Sequence, residues 1–465
     1  MDAANNLSLV SRRQLLKQSA CGFGYLALAG LAAEQAKAAT SAGPLAPKTP
    51  HFAPKAKRVI FMFHQGGPSH VDTFDYKPAL AVDDGKSPST TGFYKGGNRK
   101  LMQSPFKFSQ HGESGLPISE LFSNVAKHAD KICLLNSMHC DLPNHPQASL
   151  QLHTGSFQFV RPSMGAWTLY GLGTANDELP GFITINPVAN VGGAQNYGSA
   201  FLPAPFQGTA ISTAVKTTQG PIPNIRSSTS VDLQRKQLDY LQSLNRDRLA
   251  ADAVNSELEG LIESYELAFR MQGAVPKVVD FKDESQSTLD AYGIGKPATD
   301  TFARQCLLAR RFAEAGVRFI EVATSGWDQH QNLRQQLTKN CTGIDQPIAA
   351  MMNDLEQRGL LDDTLLVWGG EFGRTPHVQR PDGRDHNATG YSMWMAGGGV
   401  KGGMRYGATD EHGIAAVDKK MHIHDLHATV LHLMGLDHTK LTYRYSGRDF
   451  RLTDVHGNVA HEIIA

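Results

Sequence analysis

The sequence predicts an α/β fold: a three-layer α/β/α sandwich around a mostly parallel sheet, with an inserted helical cap. Three observations predict it. Short, continuous apolar runs recur at "RVIFMF" (58–63), "ICLLNSM" (132–138), 317–323 and "TLLVWGG" (364–370), the pattern of strands buried on both faces. Helical stretches separate them, and strand–helix alternation makes neighbouring strands parallel. Polar residues of metal-ligand type follow directly after the runs, and in such sheets ligands bind beyond the carboxyl ends of the strands.

The whole chain fits this class. It has 465 residues, 41% hydrophobic and 19% charged, ordinary for a globular protein with a sizeable core. The net charge of +1 and the absence of long like-charge runs argue against a nucleic-acid partner.

Along the chain, "SRRQLLK" precedes the short apolar stretch "CGFGYLALAGLAA" and the small-residue site "AKA", the order of a secretory signal over residues 1–38. The Arg12–Arg13 pair points to the twin-arginine route and its translocase. The apolar core is too short to span a bilayer comfortably, so the mature chain has no stable membrane span. Cys21 leaves with the signal, while Cys133, Cys140, Cys306 and Cys341 remain. Export permits disulfides, but spacing does not pair these cysteines, and without C-x-x-C a structural zinc site is not expected.

A linker covers 39–56 and the domain 57–465. After the first strand, 82–114 reads as a long loop, and Ile118, Leu121, Phe122 and Val125 recur at helical spacing. The 132–138 strand leads into the helix "HPQASLQLHTG", which stops at Gly155. Residues 186–228 carry no periodicity, and long amphipathic helices follow, so an insertion at about 186–298 forms the cap. Alternation resumes with helix 300–315, strand 317–323, helix 344–358, strands "TLLVWGG" and "YSMWMAGGG", and helix "HDLHATVLHLMG".

The strand ends hold the candidate chemistry. After the first come His64, Gln65, Gly66, Gly67, Ser69, His70 and Asp72; after the second, His139, Asp141, Asn144 and His145. "SGWDQHQN" places Asp328 and His330 after 317–323, and Glu371, Arg374, Asp385 and His386 follow "TLLVWGG". Carboxylate with imidazole is the ligand set for zinc, manganese or iron, and carboxylates alone suit calcium. A divalent metal there polarises phosphoryl or sulfuryl oxygens. In "HIHDLHATVLH", most histidines read as structural, with His424 the best ligand candidate. Other chemistries fit less well. "GGPSHV" lacks the last glycine of a nucleophile elbow, and "GGGVKGG" lacks the ending of a phosphate loop.

"GGPSHVDTFDYKP", "HPQASLQLHTG", "GWDQHQN", "GGEFGRTP", "GRDHNATG" and "HDLHATVLHLMGLD" together resemble the domain-of-unknown-function 1501 family over nearly the whole mature chain. That family is allied to the alkaline phosphatase superfamily, which includes sulfatases and phosphodiesterases. The resemblance implies an alkaline phosphatase-like sandwich and one metal held by Asp328, His330 and His386, with Asp385 beside them. The superfamily's second site takes an aspartate where this chain has His64-Gln65, and an Asp-His pair where it has Glu371-Phe372. Its oxygen or sulfur nucleophile falls near Asn144–His145.

Two readings follow. One is an exported, metal-dependent hydrolase of phosphate or sulfate esters, small molecules or glycans. There the metal is held by Asp328, His330, Asp385 and His386, with His64 and His424 as further candidate ligands. Glu371 is a further ligand or general base, Arg374 binds an anionic group, and His145 is the acid/base or nitrogen nucleophile. The other is a non-catalytic envelope protein of the same fold that binds a glycan or a protein partner. A redox enzyme using Cys133 and Cys140 has only their proximity in sequence behind it.

Overall fold

The computed structural model describes residues 43–87, 99–213, 222, 225–251 and 255–465. The expected export signal and the start of the linker lie outside the described residues. The core is one nine-stranded sheet. Its strands are β1 (Arg58–His64), β2 (Ile132–His139), β3 (Phe182–Ile185), β4 (Thr209–Ile211), β5 (Phe319–Thr324) and β6 (Thr364–Gly369). A hairpin, β7 (Gly373–Gln379) and β8 (Gly383–Asn387), stands off the sheet, and β9 (Tyr391–Ala396), β10 (Met404–Tyr406) and β11 (Met421–His422) rejoin it. Across the sheet the order is β10-β2-β9-β6-β1-β5-β3-β4, with β11 also on β2. β1 sits at the centre, parallel to both β5 and β6. Its residues Val59–His64 are all buried, which is why its sequence is a continuous apolar run.

β9 alone runs antiparallel, pairing β2 on one side and β6 on the other. The cause lies in the connection. Between β6 and β9 the chain makes only the β7/β8 hairpin beyond the strand ends, and without a crossover along the sheet face the returning strand must reverse. Trp394 and Trp368 are cross-strand partners there and stack at 6.1 Å.

Helices cover both faces: α1 (His145–Thr154), α2 (Met164–Leu172), α3 (Val231–Ala251), α4 (Ser256–Val279), α5 (Gln286–Tyr292), α6 (Asp300–Glu314), α7 (Leu333–Gln357) and α8 (Ile423–Leu433). Gly155 adopts a φ of 71° and caps α1 where the sequence placed the stop. The helix expected at 118–125 is absent. Leu116–Ser119 is a strand paired with Phe108–His111, and two short 3-10 turns follow. The apolar spacing is real, but Leu116–Ser119 is taken up by strand pairing with Phe108–His111 instead. Cys133, Cys140, Cys306 and Cys341 are all buried and free, so no disulfide crosslinks the described residues.

Candidate metal centre

The site gathers at the end of the sheet where β1, β2, β5 and β6 finish and β9 begins. The loop after β1 reaches it through Gly66, whose φ is 118°. A Cβ there would lie 2.6 Å from the backbone nitrogen of Asp328, so only glycine lets the Asp328 loop rest against this one. Beyond β5, Trp327 is buried, and its indole Nε1 donates to Thr324 Oγ1 at 3.0 Å. This anchor fixes the residue that follows it, Asp328. Gly383 lies directly under His330, where a Cβ would meet the His330 carbonyl, so the β7/β8 hairpin packs onto the same loop. His386 sits opposite Arg374 within that hairpin. His145 is the first residue of α1, followed by Pro146 in the first turn.

Three imidazoles and a guanidinium converge on one oxygen. Asp328 Oδ1 lies 2.9 Å from His330 Nε2, 3.2 Å from His386 Nε2 and 3.2 Å from His145 Nε2. It also accepts from Arg374 Nη2 at 2.6 Å. Each histidine has its other nitrogen committed. His386 Nδ1 donates to the Pro143 carbonyl at 2.7 Å, His145 Nδ1 donates to Glu371 Oε1 at 2.5 Å, and His330 Nδ1 donates to Gln379 Oε1. These partners assign the lone pairs of the neutral rings to Nε2, the nitrogens that face Asp328.

That arrangement calls for a proton or a metal ion between the rings. His330 Nε2 and His386 Nε2 are 3.0 Å apart, and two neutral rings in these tautomers would oppose lone pair to lone pair. Either protons or a metal ion must lie among them. The spacing fits a metal: bonds of about 2.0–2.1 Å in a tetrahedron give ligand–ligand edges of about 3.3 Å, close to the four separations above, and His145, Asp328 and His386 form one group able to share an ion. His145 Nε2 is buried and makes no hydrogen bond of acceptable geometry. Asp385 joins from the other side, forming a second potential ligand group with His330 and His386. Its Oδ2 accepts from Arg99 at 2.8 Å.

The charges are mutually stabilised. Burial alone would raise the Asp328 carboxyl, but the His145 and His386 imidazoles against it and the Arg374 guanidinium hold it far below the usual carboxylate range. Burial opposes a charged His145, yet Asp328 and Glu371 outweigh it and lift its pKa to about 9. Without a metal, His145 is therefore protonated at neutral pH.

The remaining expected site residues occupy other places. Glu371 is fully buried behind His145, with Gly66 N–H donating to it at 2.9 Å, so it orients a histidine rather than facing the convergent atoms. Arg374 is also fully buried. Its Nε donates to the Gly67 carbonyl at 3.0 Å and its Nη2 to that of Gly66, so its anionic partner is Asp328. His64 is not brought into the cluster. Its ring packs against Trp327, Trp368 and Phe302, and its Nδ1 shares a 2.8 Å hydrogen bond with Thr324 Oγ1. His424 lies at the start of α8, stacked on His456 with centroids 5.2 Å apart.

Sequence reasoning missed the supporting contacts. Asp72 and Arg384 form a fully buried ion pair with 2.6 and 3.0 Å bonds, tying the helix after β1 to the hairpin. Both lie in motifs quoted above, but nothing in the sequence joins positions 312 apart. Gln379 and the Pro143 carbonyl carry no local signal. His153 of α1 meets the buried Glu321 of β5 at 3.3 Å, which fastens the helix that carries His145.

Residues 56–464 match the family described as "Protein of unknown function (DUF1501)". The chain belongs to that family. No curated protein matches it. Among solved structures it is similar to the PsFucS1 sulfatase from Pseudoalteromonas sp., at 13% identity and TM-score 0.36 over 82% of this chain and 68% of that one. It is similar to the lipoteichoic acid synthase LtaP from Listeria monocytogenes, at 9% identity and TM-score 0.35 over 88% and 78%. It is also similar to alkaline phosphatase from the Antarctic bacterium TAB5, at 11% identity and TM-score 0.31 over 74% and 92%. At such distances the chemistry of this DUF1501 chain has to be argued from its own residues.

Proposed function

We propose that the chain is an exported, metal-dependent hydrolase of phosphate or sulfate esters. The observation that carries the reading is the approach of His145, His330 and His386 Nε2 to a single Asp328 oxygen at 2.9–3.2 Å. A divalent ion held there, zinc or manganese given the nitrogen donors, supplies Lewis-acid polarisation of a phosphoryl or sulfuryl oxygen. The chain's own residues do the rest. Arg374 holds the Asp328 carboxylate in place, and Glu371, Gln379 and Pro143 orient the imidazoles of His145, His330 and His386. Imidazole stands where the family resemblance puts an oxygen or sulfur nucleophile, which favours direct attack by water. Export rests on Arg12–Arg13 and the apolar stretch after them; among the described residues no helix is long and apolar enough to cross a membrane.

The deciding experiment pairs elemental analysis of the purified chain with a panel of aryl phosphates, aryl sulfates and sulfated glycans. We expect about one equivalent of bound metal, with turnover abolished by chelation and by His386→Ala. Full activity after both treatments removes the metal from the mechanism. A metal-loaded protein silent on the whole panel favours the second reading, a binding protein of the same fold, which the missing hydroxyl or thiol nucleophile supports.

A further inference from the structure

The α3–α4 hairpin has its polarity inside out. Where α3 meets α4 the contacts are polar: Arg235 forms bonds of 2.9 and 3.0 Å to Glu266, and Gln242 Nε2 donates to the Ile262 carbonyl at 2.8 Å. Gln242 is the only buried residue described in the 21-residue α3. At 100° per residue, Arg235 and Gln242 share one face of α3, and Leu233, Tyr240 and Leu244 lie on the opposite one with Leu241 at its margin. Those four are 48%, 69%, 49% and 38% exposed. An amphipathic helix draws most of its stability from covering its apolar face, and α3 leaves that face uncovered.

The patch is concentrated. Seven of the fifteen exposed large hydrophobics among the described residues lie on this hairpin, the four above with Val231, Leu261 and Tyr265. The four on the stripe present on the order of 400 Å² at their fractional exposures, close to the apolar share of the ~800 Å² per partner of a stable protein–protein interface. The helix is also self-complementary. Lys236 and Asp247 flank the stripe on the same side, and two antiparallel copies of α3 bring those opposite charges together across a two-fold axis.

We propose that α3 is a homodimerisation surface, pairing antiparallel with α3 of a second copy so that the two hairpins form a four-helix layer with the α3 pair at its centre. The two-fold axis passes near Tyr240, the middle of the stripe. This proposal is independent of the metal centre.

Sedimentation velocity and light scattering on the full chain at about 1–50 µM test it. The expected result is a dimer that becomes a monomer in the Tyr240→Glu/Leu244→Glu double variant, with an unchanged circular dichroism spectrum. The substituted side chains are exposed, so the fold is expected to survive. A second variant, Tyr240→Cys in a Cys21→Ser background, reports without disturbing the face: mild oxidation yields a covalent dimer, since the other four native cysteines are buried. Asp232→Cys, on another side of α3, stays monomeric on denaturing gels. A wild-type monomer throughout this range overturns the proposal and leaves the stripe to a different protein. A dimer that withstands the double substitution, with no crosslink through position 240, overturns it by placing the interface elsewhere.

Discussion

Glu371 bears no direct contact to the convergent atoms, yet it is the residue whose charge decides how His145 behaves. Its carboxylate is fully buried and is bonded to His145 Nδ1 and the Gly66 amide. Substitution Glu371→Gln keeps the shape and removes the charge. Loss of such an orienting partner weakens metal binding about 10–100-fold, which competitive metal titration should show with the fold intact. Unchanged affinity would mean His145 is no ligand. The convergence of Asp328, His330, Asp385 and His386 was legible in the sequence because two carboxylate–imidazole pairs follow buried strands of the same sheet. The role of Glu371 was not legible, since nothing in the residues around it states that position 145 lies against it. His64 misled because a strand-end side chain can point into the core as readily as out of it. Here three aromatic rings receive it.

Among elements, α1 matters most, because its first residue is His145 and its last turn is held by the His153–Glu321 contact. Burial opposes a charged His153, but the Glu321 carboxylate overrides it and raises the pKa. Glu321→Gln weakens this pairing inside the core, where hydrogen bonds to charged groups are worth about 1.5–3 kcal/mol. The variant should lose that much stability in urea and also bind metal more weakly, because α1 no longer sets the His145 ring. A loss of stability with metal affinity untouched would show that the pair serves packing alone. β1, β2, β5, β6 and β9 were readable from apolar runs and α1 from its terminal glycine, whereas β3 and β4, of four and three residues, were too short to stand out. The reversed direction of β9 was not, because an apolar run buried on both faces looks the same in either orientation. The 118–125 segment shows the complementary failure, helical spacing without a helix.

At the scale of the whole molecule, buried neutral histidines set an acid limit. Burial pushes His64 and His427 down to about 3. An unfolded histidine titrates near 6.5, so between about pH 6.5 and 3 the unfolded chain binds protons the folded one refuses. Their contribution is complete above that window and declines as pH falls through it, by up to ~1.4 kcal/mol per unit and per group. Urea midpoints at pH 7 and pH 4.5 should differ strongly, and the difference should shrink in His427→Leu. Equal midpoints at the two pH values would contradict the assignment.

The centre of the sheet also dictates a timetable. β1 begins at residue 58, but the strands on either side of it begin only at 319 and 364. A ribosome adding roughly 5–20 residues per second needs on the order of half a minute to deliver them. For that interval the nascent β1 has neither lateral partner, and its apolar run is the segment a holding chaperone would find first.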